Sequence, residues 1–280
     1  MRSRTPNEEE LLLRGTRDHY EDAALYDFEY EDRGVDIVWY RRLAARLGVK
    51  QRILELGAGT GRITVPLLEA GHVVTALDKM PPMLELLQAK AAASPSFGAQ
   101  LAVVVGDMTA LPLADGAFDL VIAPFNALQH LYSYRELLAC FCEARRVLAP
   151  GGTFAFDVLL PDLDWLTWDP DERHAVTHFK HPTTGEPLVY STNHTYDAET
   201  QVCHVRIYYD DAPRRGRAFK PPPKPRRLVH LAHRQIFPEE IRALIAAAGL
   251  ELEELSGDFS GMRLRTGVQS QVVRARRPLG

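Results

Sequence analysis

The rhythm of apolar residues changes several times along the chain, and those changes outline its elements. Arg52–Leu56 reads as a short buried strand, and Arg62–Ala70 carries the spacing of the helix that follows it. Similar apolar runs recur at Val73–Leu77, Leu101–Val105, Phe118–Ala123 and Thr153–Val158. Between them lie helical stretches at Met83–Ala93 and Tyr134–Leu148, the second closed by Pro150-Gly151-Gly152. Strands alternating with helices predict a doubly wound, mostly parallel sheet with helices on both faces. Ahead of this block, residues 8–48 are helical in pattern and set several aromatics among apolar positions. Beyond Asp157 the period changes. Residues 175–237 hold the alternating runs "PLVYSTNHTYD" and "TQVCHVRIYYD", joined through Asp197-Ala198-Glu199, which read as antiparallel strands of a small inserted sheet. A helix then opens on Pro238 and closes on Gly249, and strands at Leu250–Leu255 and Val268–Ala275 rejoin the main sheet to make seven. The spacing thus predicts an N-terminal helical cap (1–48), an α/β core (49–165 and 236–280) and an inserted β element (166–235) serving as a lid or a dimer contact.

The junction "ILELGAGTGRIT", residues 53–64, places Gly57, Gly59 and Gly61 between the first strand and its helix. Glycines at alternate positions let backbone approach a ligand closely, and a helix N-terminus behind them turns N–H groups and a dipole toward the crevice. A nucleotide-like ligand is the first expectation. A dinucleotide loop needs G-x-G-x-x-G, whereas this spacing is G-x-G-x-G followed by Arg62, a poor fit to pyrophosphate. Three acids stand at successive strand ends. Glu55 precedes the loop and suits a cationic ligand better than phosphate; Asp78 is placed to accept both hydroxyls of a ribose; Asp107 can receive an exocyclic amine. A ligand with a ribose, an amine and net positive character satisfies all three.

These motifs resemble those of class I S-adenosylmethionine-dependent methyltransferases over about residues 20–162. "LELGAGTGR" is similar to the family's glycine loop, "ALDKMPPML" to its ribose-binding strand end, "GDMTALPLADGAFDLVIAPFNALQHL" to the adenine strand end and fourth strand, and "EARRVLAPGGTFAFDV" to the next helix, turn and strand. The resemblance implies S-adenosylmethionine as methyl donor and S-adenosylhomocysteine as product. It implies contacts from Glu55, Gly57, Ala58, Gly59, Gly61, Asp78, Lys79, Met80, Asp107, Met108, Pro124 and Phe125. Pro81-Pro82 departs from the pattern, where the family more often has a small polar residue. Tyr26, in "LYDFEY", resembles an N-terminal tyrosine that closes over the methionine end.

Methyl transfer from a sulfonium is an in-line displacement, served chiefly by positioning and desolvation. An acceptor that starts protonated also needs a base. His130, in "PFNALQHLYSY" after the fourth strand, is the candidate because its ordinary pKa lies near working pH. The competing reading is a histidine that packs or caps the next helix. Asn126 and Gln129 are candidates to orient the acceptor, and Tyr30, Arg33 and Tyr40 to wall its pocket. The resemblance is greatest to enzymes acting on small molecules such as amino sugars, glycine-like amines and natural products.

Composition narrows the field. Hydrophobic residues make up 46% of the 280 positions and charged residues 25%, with a net charge of −4, so nothing draws the whole chain to nucleic acid or anionic membrane. No apolar run approaches membrane-spanning length, and "MRSRTPNEEE" has no secretory core, so residence in the cytoplasm is expected. Cys140, Cys142 and Cys203 are too few for a disulfide framework or a zinc site. The pairs His178/His181 and His230/His233 fall in expected strands, where residues three apart face opposite sides, so no metal is expected. Residues 213–227, "PRRGRAFKPPPKPRR", form a basic, proline-rich loop. It supports an alternative in which Arg214, Arg215, Arg217, Arg226 and Arg227 dock RNA or protein substrates. A third reading is a member of the fold that binds the cofactor without methylating. The leading expectation is N- or O-methylation of a small molecule, with nucleic acid and membrane absent and a homodimer formed through the insertion.

Overall fold

The computed structural model describes residues 5–213 and 217–279. In chain order the elements are α1 (Pro6–Arg17), α2 (Ala23–Glu29), α3 (Val35–Leu47), β1 (Arg52–Leu56), α4 (Thr64–Glu69), β2 (Val73–Asp78), α5 (Pro81–Ala92), β3 (Leu101–Val105), β4 (Phe118–Ala123), α6 (Tyr134–Val147), β5 (Leu148–Leu159), α7 (Leu163–Leu166), β6 (His174–Lys180), β7 (Pro187–Asp197), β8 (Val202–Asp211), β9 (Arg227–Arg234), α8 (Pro238–Ala247), β10 (Glu251–Ser256) and β11 (Ser270–Arg276). Short 3₁₀ turns cover Asp18–Tyr20, Pro95–Ala99 and Ala127–His130. Local chemistry sets many of these ends. Thr5 and Glu8 form a reciprocal cap on α1, the Ser133 hydroxyl accepts from the Glu136 N–H at the start of α6, and Pro238 opens α8.

The chain divides into two compact units, residues 31–161 with 235–280, and residues 1–30 with 162–234. The larger unit holds a seven-stranded sheet in the order β10-β11-β5-β4-β1-β2-β3. Its β1, β2, β3, β4 and β5 run parallel, while β11 lies antiparallel between β5 and β10. Alternation along β1 explains the two covered faces. Leu54 and Leu56 join a cluster with α6 and α8, whereas Ile53 joins Leu43 of α3 and Leu67 of α4 on the other side.

Three boundaries differ from the sequence expectation. The expected cap of residues 1–48 is split, because α3 buries Tyr40, Leu43 and Ala44 in the larger unit while α1 and α2 belong to the smaller one. Helix α4 starts at Thr64, because Gly61 and Arg62 still belong to the loop. Strand β5 starts at Leu148, five residues early. Gly151 donates to the Arg277 carbonyl and Arg277 donates back to Gly152, so the expected Pro-Gly-Gly turn is tied to the chain beyond β11.

The smaller unit is a four-stranded antiparallel sheet, β6-β7-β8-β9, with α1, α2 and α7. The expected hairpin is β7–β8, and β6 and β9 flank it. Its apolar cluster joins Leu25 to Ile207, Tyr209, Val229 and Leu231. Helix α1 approaches β9 closely at Gly15, where a Cβ would stand 2.5 Å from that of Ala232. His178 lies in β6, but His181 falls just past its end and accepts hydrogen bonds from the Thr183 and Thr184 N–H groups. Among the described residues no group of three His, Cys, Asp or Glu side chains is placed to hold a metal ion, and no helix is long and apolar enough to cross a membrane.

Candidate functional site

Parallel strands deliver their carboxyl ends to one edge of the sheet, and the residues singled out in the larger unit gather there. Leu56 pairs with Leu77, and Asp78 pairs with Val105, so the loops after β1, β2 and β3 leave side by side. In the first loop Gly57, Gly59 and Gly61 have φ of 73°, 55° and 85°. Such angles strain any other residue, and packing adds a second constraint. A Cβ on Gly57 would meet that of Ala127 at 2.8 Å, and one on Gly61 would meet Leu87 Cδ1 at 2.2 Å.

The loop N–H groups are not offered to the crevice as the sequence suggested. Gly57 and Ala58 both donate to the Leu77 carbonyl, Gly61 to that of Ala58, and Gly59 to Oδ2 of Asp78 at 2.8 Å. The loop thus folds onto the end of β2. It leaves a bare backbone surface rather than a phosphate cradle.

Asp78 also accepts from the Met80 N–H through Oδ1 at 2.8 Å. Burial raises its pKa, against the pull of the Met80, Gly59 and Lys79 N–H groups. Its two short bonds, from Gly59 and Met80, fall one on each oxygen, so lone pairs are left for two ligand hydroxyls. Asp107 is bound more fully. Its Oδ1 accepts from the Thr109 N–H and hydroxyl, and its Oδ2 lies 2.7 Å from Lys79 Nζ. Burial raises its acid, but the Lys79 and Thr109 bonds outweigh that and hold it below the usual carboxylate range. Lys79 is therefore an ion-pair partner of Asp107, which changes the simple reading of both as cofactor contacts. Met80 caps α5 and is half-buried, and Met108 packs on the core beside the loop.

Glu55, expected to suit a cationic ligand, is sealed into the core. It is 1% exposed, and its Oε2 accepts a 2.5 Å bond from the Thr64 hydroxyl. Burial lifts its acid to about 8, against that bond and the Arg62 charge. At neutral pH it is mostly protonated and ties β1 to α4.

Past β4 the chain turns on two consecutive left-handed residues, Phe125 (φ 53°) and Asn126 (φ 63°). Left-handed backbone at a phenylalanine is strained and persists only when its surroundings impose it. Here Asp157 of β5 imposes it. Its Oδ1 accepts from the Phe125 N–H at 2.9 Å and from the Tyr40 hydroxyl at 2.7 Å, and its carbonyl accepts from Asn126. Burial pushes the Asp157 acid up to about 6, with the Tyr40 and Phe125 bonds opposing. The Phe125 ring lies under two guanidinium groups, Arg33 at 4.9 Å and Arg62 at 4.6 Å. Arg62 is fixed by buried Asp36 through bonds of 2.9 and 2.6 Å, whereas Arg33 is exposed.

The turn leads into the 3₁₀ segment that carries the remaining candidates. His130 is half-buried, with Nδ1 3.4 Å from the Tyr132 hydroxyl. Gln129 is 0% exposed and its amide oxygen accepts from the Leu159 N–H, so its expected acceptor contact gives way to bracing the turn against β5. Pro124 is buried and Asn126 half-buried. Tyr26 and Tyr30 belong to the smaller unit, where both rings contact His19. Of the basic loop, Arg214 and Arg215 lie outside the described residues. Arg226 pairs with Glu186 and Asp211, and Arg227 with Asp22, so acids of the same unit already occupy both.

A family described as a methyltransferase domain matches residues 53–152, from β1 into β5. Over 184 residues the chain is 31% identical to the malonyl-[acyl-carrier protein] O-methyltransferase of Pseudescherichia vulneris, covering 64% of this chain and 67% of that one. The chain belongs to the S-adenosylmethionine-dependent methyltransferase family.

Within that family, the CcbJ methyltransferase of Streptomyces caelestis superposes with a TM-score of 0.72 at 26% identity, over 93% of this chain and 99% of the other. The sugar N-methyltransferase KedS8 from Streptoalloteichus shares the fold, with a TM-score of 0.64 at 21% identity over 90% and 92% of the two chains. Other curated relatives match over shorter stretches, 120 and 124 residues in the first two, and the chain spans about half the length of these relatives. Missed in the sequence were Asp36, Arg62 and Asp157, and Tyr40, expected as a pocket wall, is instead fully buried and bonded to Asp157. Arg62 alone carried a signal, at the position where the loop departs from a dinucleotide motif.

Proposed function

We propose that this methyltransferase moves the methyl group of S-adenosylmethionine to a nitrogen or oxygen of a small-molecule acceptor. The observation that carries the reading is Asp78. Its carboxylate stands at the end of β2, is braced by two backbone N–H groups, and keeps lone pairs for the two hydroxyls of a ribose. The bare loop Gly57–Gly61 leaves room for the rest of the donor, and Met80, Asp107 and Met108 border the adenine side. When bound, the donor supplies a methyl carbon made electrophilic by its sulfonium. The protein's part is to orient and to exclude water. The turn at Pro124, Phe125 and Asn126 is held by Asp157, and His130 ends the 3₁₀ segment that follows it, as the base for an acceptor that arrives protonated.

Calorimetric titration of S-adenosylhomocysteine tests the donor site. Micromolar binding is expected, with a loss of at least about tenfold in Asp78→Ala, or about 1.4 kcal/mol. No binding by the wild type would overturn the reading. Screening of small amines and hydroxylated metabolites then identifies the acceptor, and His130→Ala is expected to keep donor affinity while losing turnover by about 10²-fold or more. Unchanged turnover would remove His130 as the base. Docking of a polyanionic substrate through residues 213–227 is disfavoured, because Arg226 and Arg227 are already paired.

A further inference from the structure

The smaller unit buries a carboxylate that none of the roles above uses. Glu29 ends α2, and only 15% of its side chain is exposed. Its Oε1 accepts a 2.6 Å hydrogen bond from the Tyr209 hydroxyl of β8. Its Oε2 lies 3.9 Å from Nε2 of His19, and among the described residues no Lys or Arg comes within ion-pair distance of it. His19 supplies no countercharge. Burial, together with the charges of His233 and Arg227, depresses its pKa to about 3, so the ring is neutral at working pH. Arg227 is committed to Asp22 at 3.3 Å.

Both side chains next to this acid, His19 and Tyr209, sit among aromatic rings. The His19 ring meets those of Tyr20, Tyr26 and Tyr30 edge-on, with centroids 5.3, 5.5 and 6.0 Å away. Tyr26 and Tyr30 lie 4.8 Å apart, and Tyr190 lies 5.9 Å from Tyr209. A carboxylate in such surroundings is unfavourable unless a cation reaches it. Burial accordingly raises the Glu29 acid to about 7, with the Tyr209 bond and Arg227 opposing and Asp22 adding to the rise. A hard metal ion needs several oxygen ligands, and no such group of side chains is present among the described residues. An organic ammonium needs one carboxylate and π faces, which is what this cluster supplies.

We propose that Glu29, held by the Tyr209 hydroxyl and beside the His19 ring with its neighbours Tyr20, Tyr26 and Tyr30, forms a binding site for the protonated amine of a small molecule. The site lies within the smaller unit and stands without the methyl-transfer reading above. Bound ammonium favours ionised Glu29, so amine binding and loss of the Glu29 proton are coupled.

The test uses the full chain and isopropylammonium chloride as probe, with sodium chloride at equal ionic strength as control. The ¹³C signal of the Glu29 carboxyl, assigned by its loss in Glu29→Gln, is followed against pH. The midpoint, expected near 7 in the sodium chloride control because burial raises this acid, should fall by about one pH unit or more with saturating amine, a tenfold change in proton affinity. Tyrosine ring signals should shift in the same titration. Glu29→Gln, which keeps an acceptor for the Tyr209 hydroxyl, should bind the amine about tenfold more weakly or worse and leave S-adenosylhomocysteine affinity unchanged. An unmoved wild-type midpoint, or a variant that binds the amine as well as the wild type, would overturn the proposal. Amine binding without S-adenosylhomocysteine binding would keep the site and remove the methyl-transfer reading.

Discussion

Replacing Tyr40 with Phe removes one hydroxyl from a fully buried ring and opens no cavity. It tests whether the left-handed turn after β4 is held by a charge. The hydroxyl gives a 2.7 Å hydrogen bond to Asp157 Oδ1, the same oxygen that restrains the Phe125 N–H. A hydrogen bond to a charged group contributes about 1.5–3 kcal/mol, and the strain of left-handed Phe125 and Asn126 is of comparable size, about 1–3 kcal/mol each. At pH 8 the variant should therefore be less stable by about 1.5–3 kcal/mol, a melting shift of roughly 3–12 °C. The loss must depend on pH. The Asp157 acid is raised to about 6 in the folded protein, and losing its Tyr40 donor raises it further. The variant's deficit is then small at pH 5, where the carboxyl is mostly neutral, and grows as pH rises through 6. Thermal unfolding of both proteins at pH 5 and pH 8, followed by the fluorescence of Trp39 next to Tyr40, measures this directly. A deficit equal at both pH values, or none at pH 8, would refute the account of the turn.

Three further outcomes can be measured, two at the glycine loop and one in the smaller unit. Gly61→Ala places a methyl group 2.2 Å from Leu87 at a φ of 85°, and should lower stability by roughly 1–3 kcal/mol or more and abolish S-adenosylhomocysteine binding; a melt and a titration like those of the wild type would contradict this. Glu55 binds its proton more tightly folded than unfolded, with an acid raised to about 8, so its contribution to stability falls as pH rises from about 4.5 to 8. Glu55→Gln keeps an acceptor for Thr64 and should be more stable than wild type at pH 9 and nearly equal at pH 5, which urea unfolding at the two pH values would show. Neutralising Arg226 and Arg227 together should leave retention on a heparin column unchanged, and a marked loss of retention would restore the docking alternative.

Local signals made the sheet legible. Each parallel strand is a short apolar run bounded by glycine, proline or acid, and three glycines with positive φ can be read directly from "GAGTG". Asp78 was legible because it needs only to end a strand. The long-range partners were not. Tyr40 and Asp157 meet across 117 positions, and nothing in either neighbourhood marks them as a pair. Glu55 shows the converse. Its place before the loop is plain, but only the packed structure turns it toward Thr64 and away from solvent. Arg226 and Arg227 looked like a free basic surface because the acids they meet, Glu186, Asp211 and Asp22, lie on other elements.

The place of β11 bears on how the chain folds during synthesis. It lies between β5 and β10, and Gln271 bonds to the carbonyl of Leu159, 112 positions earlier. Until the ribosome has released β11, the parallel strands end in an open edge at β5, with unpaired backbone groups facing water. The whole of β6 through β9 emerges in that interval, and sequential hairpins such as β7–β8 close quickly. The smaller unit can therefore form while the larger one still waits for its antiparallel strand, and the exposed edge of β5 is where a stalled or truncated chain would aggregate.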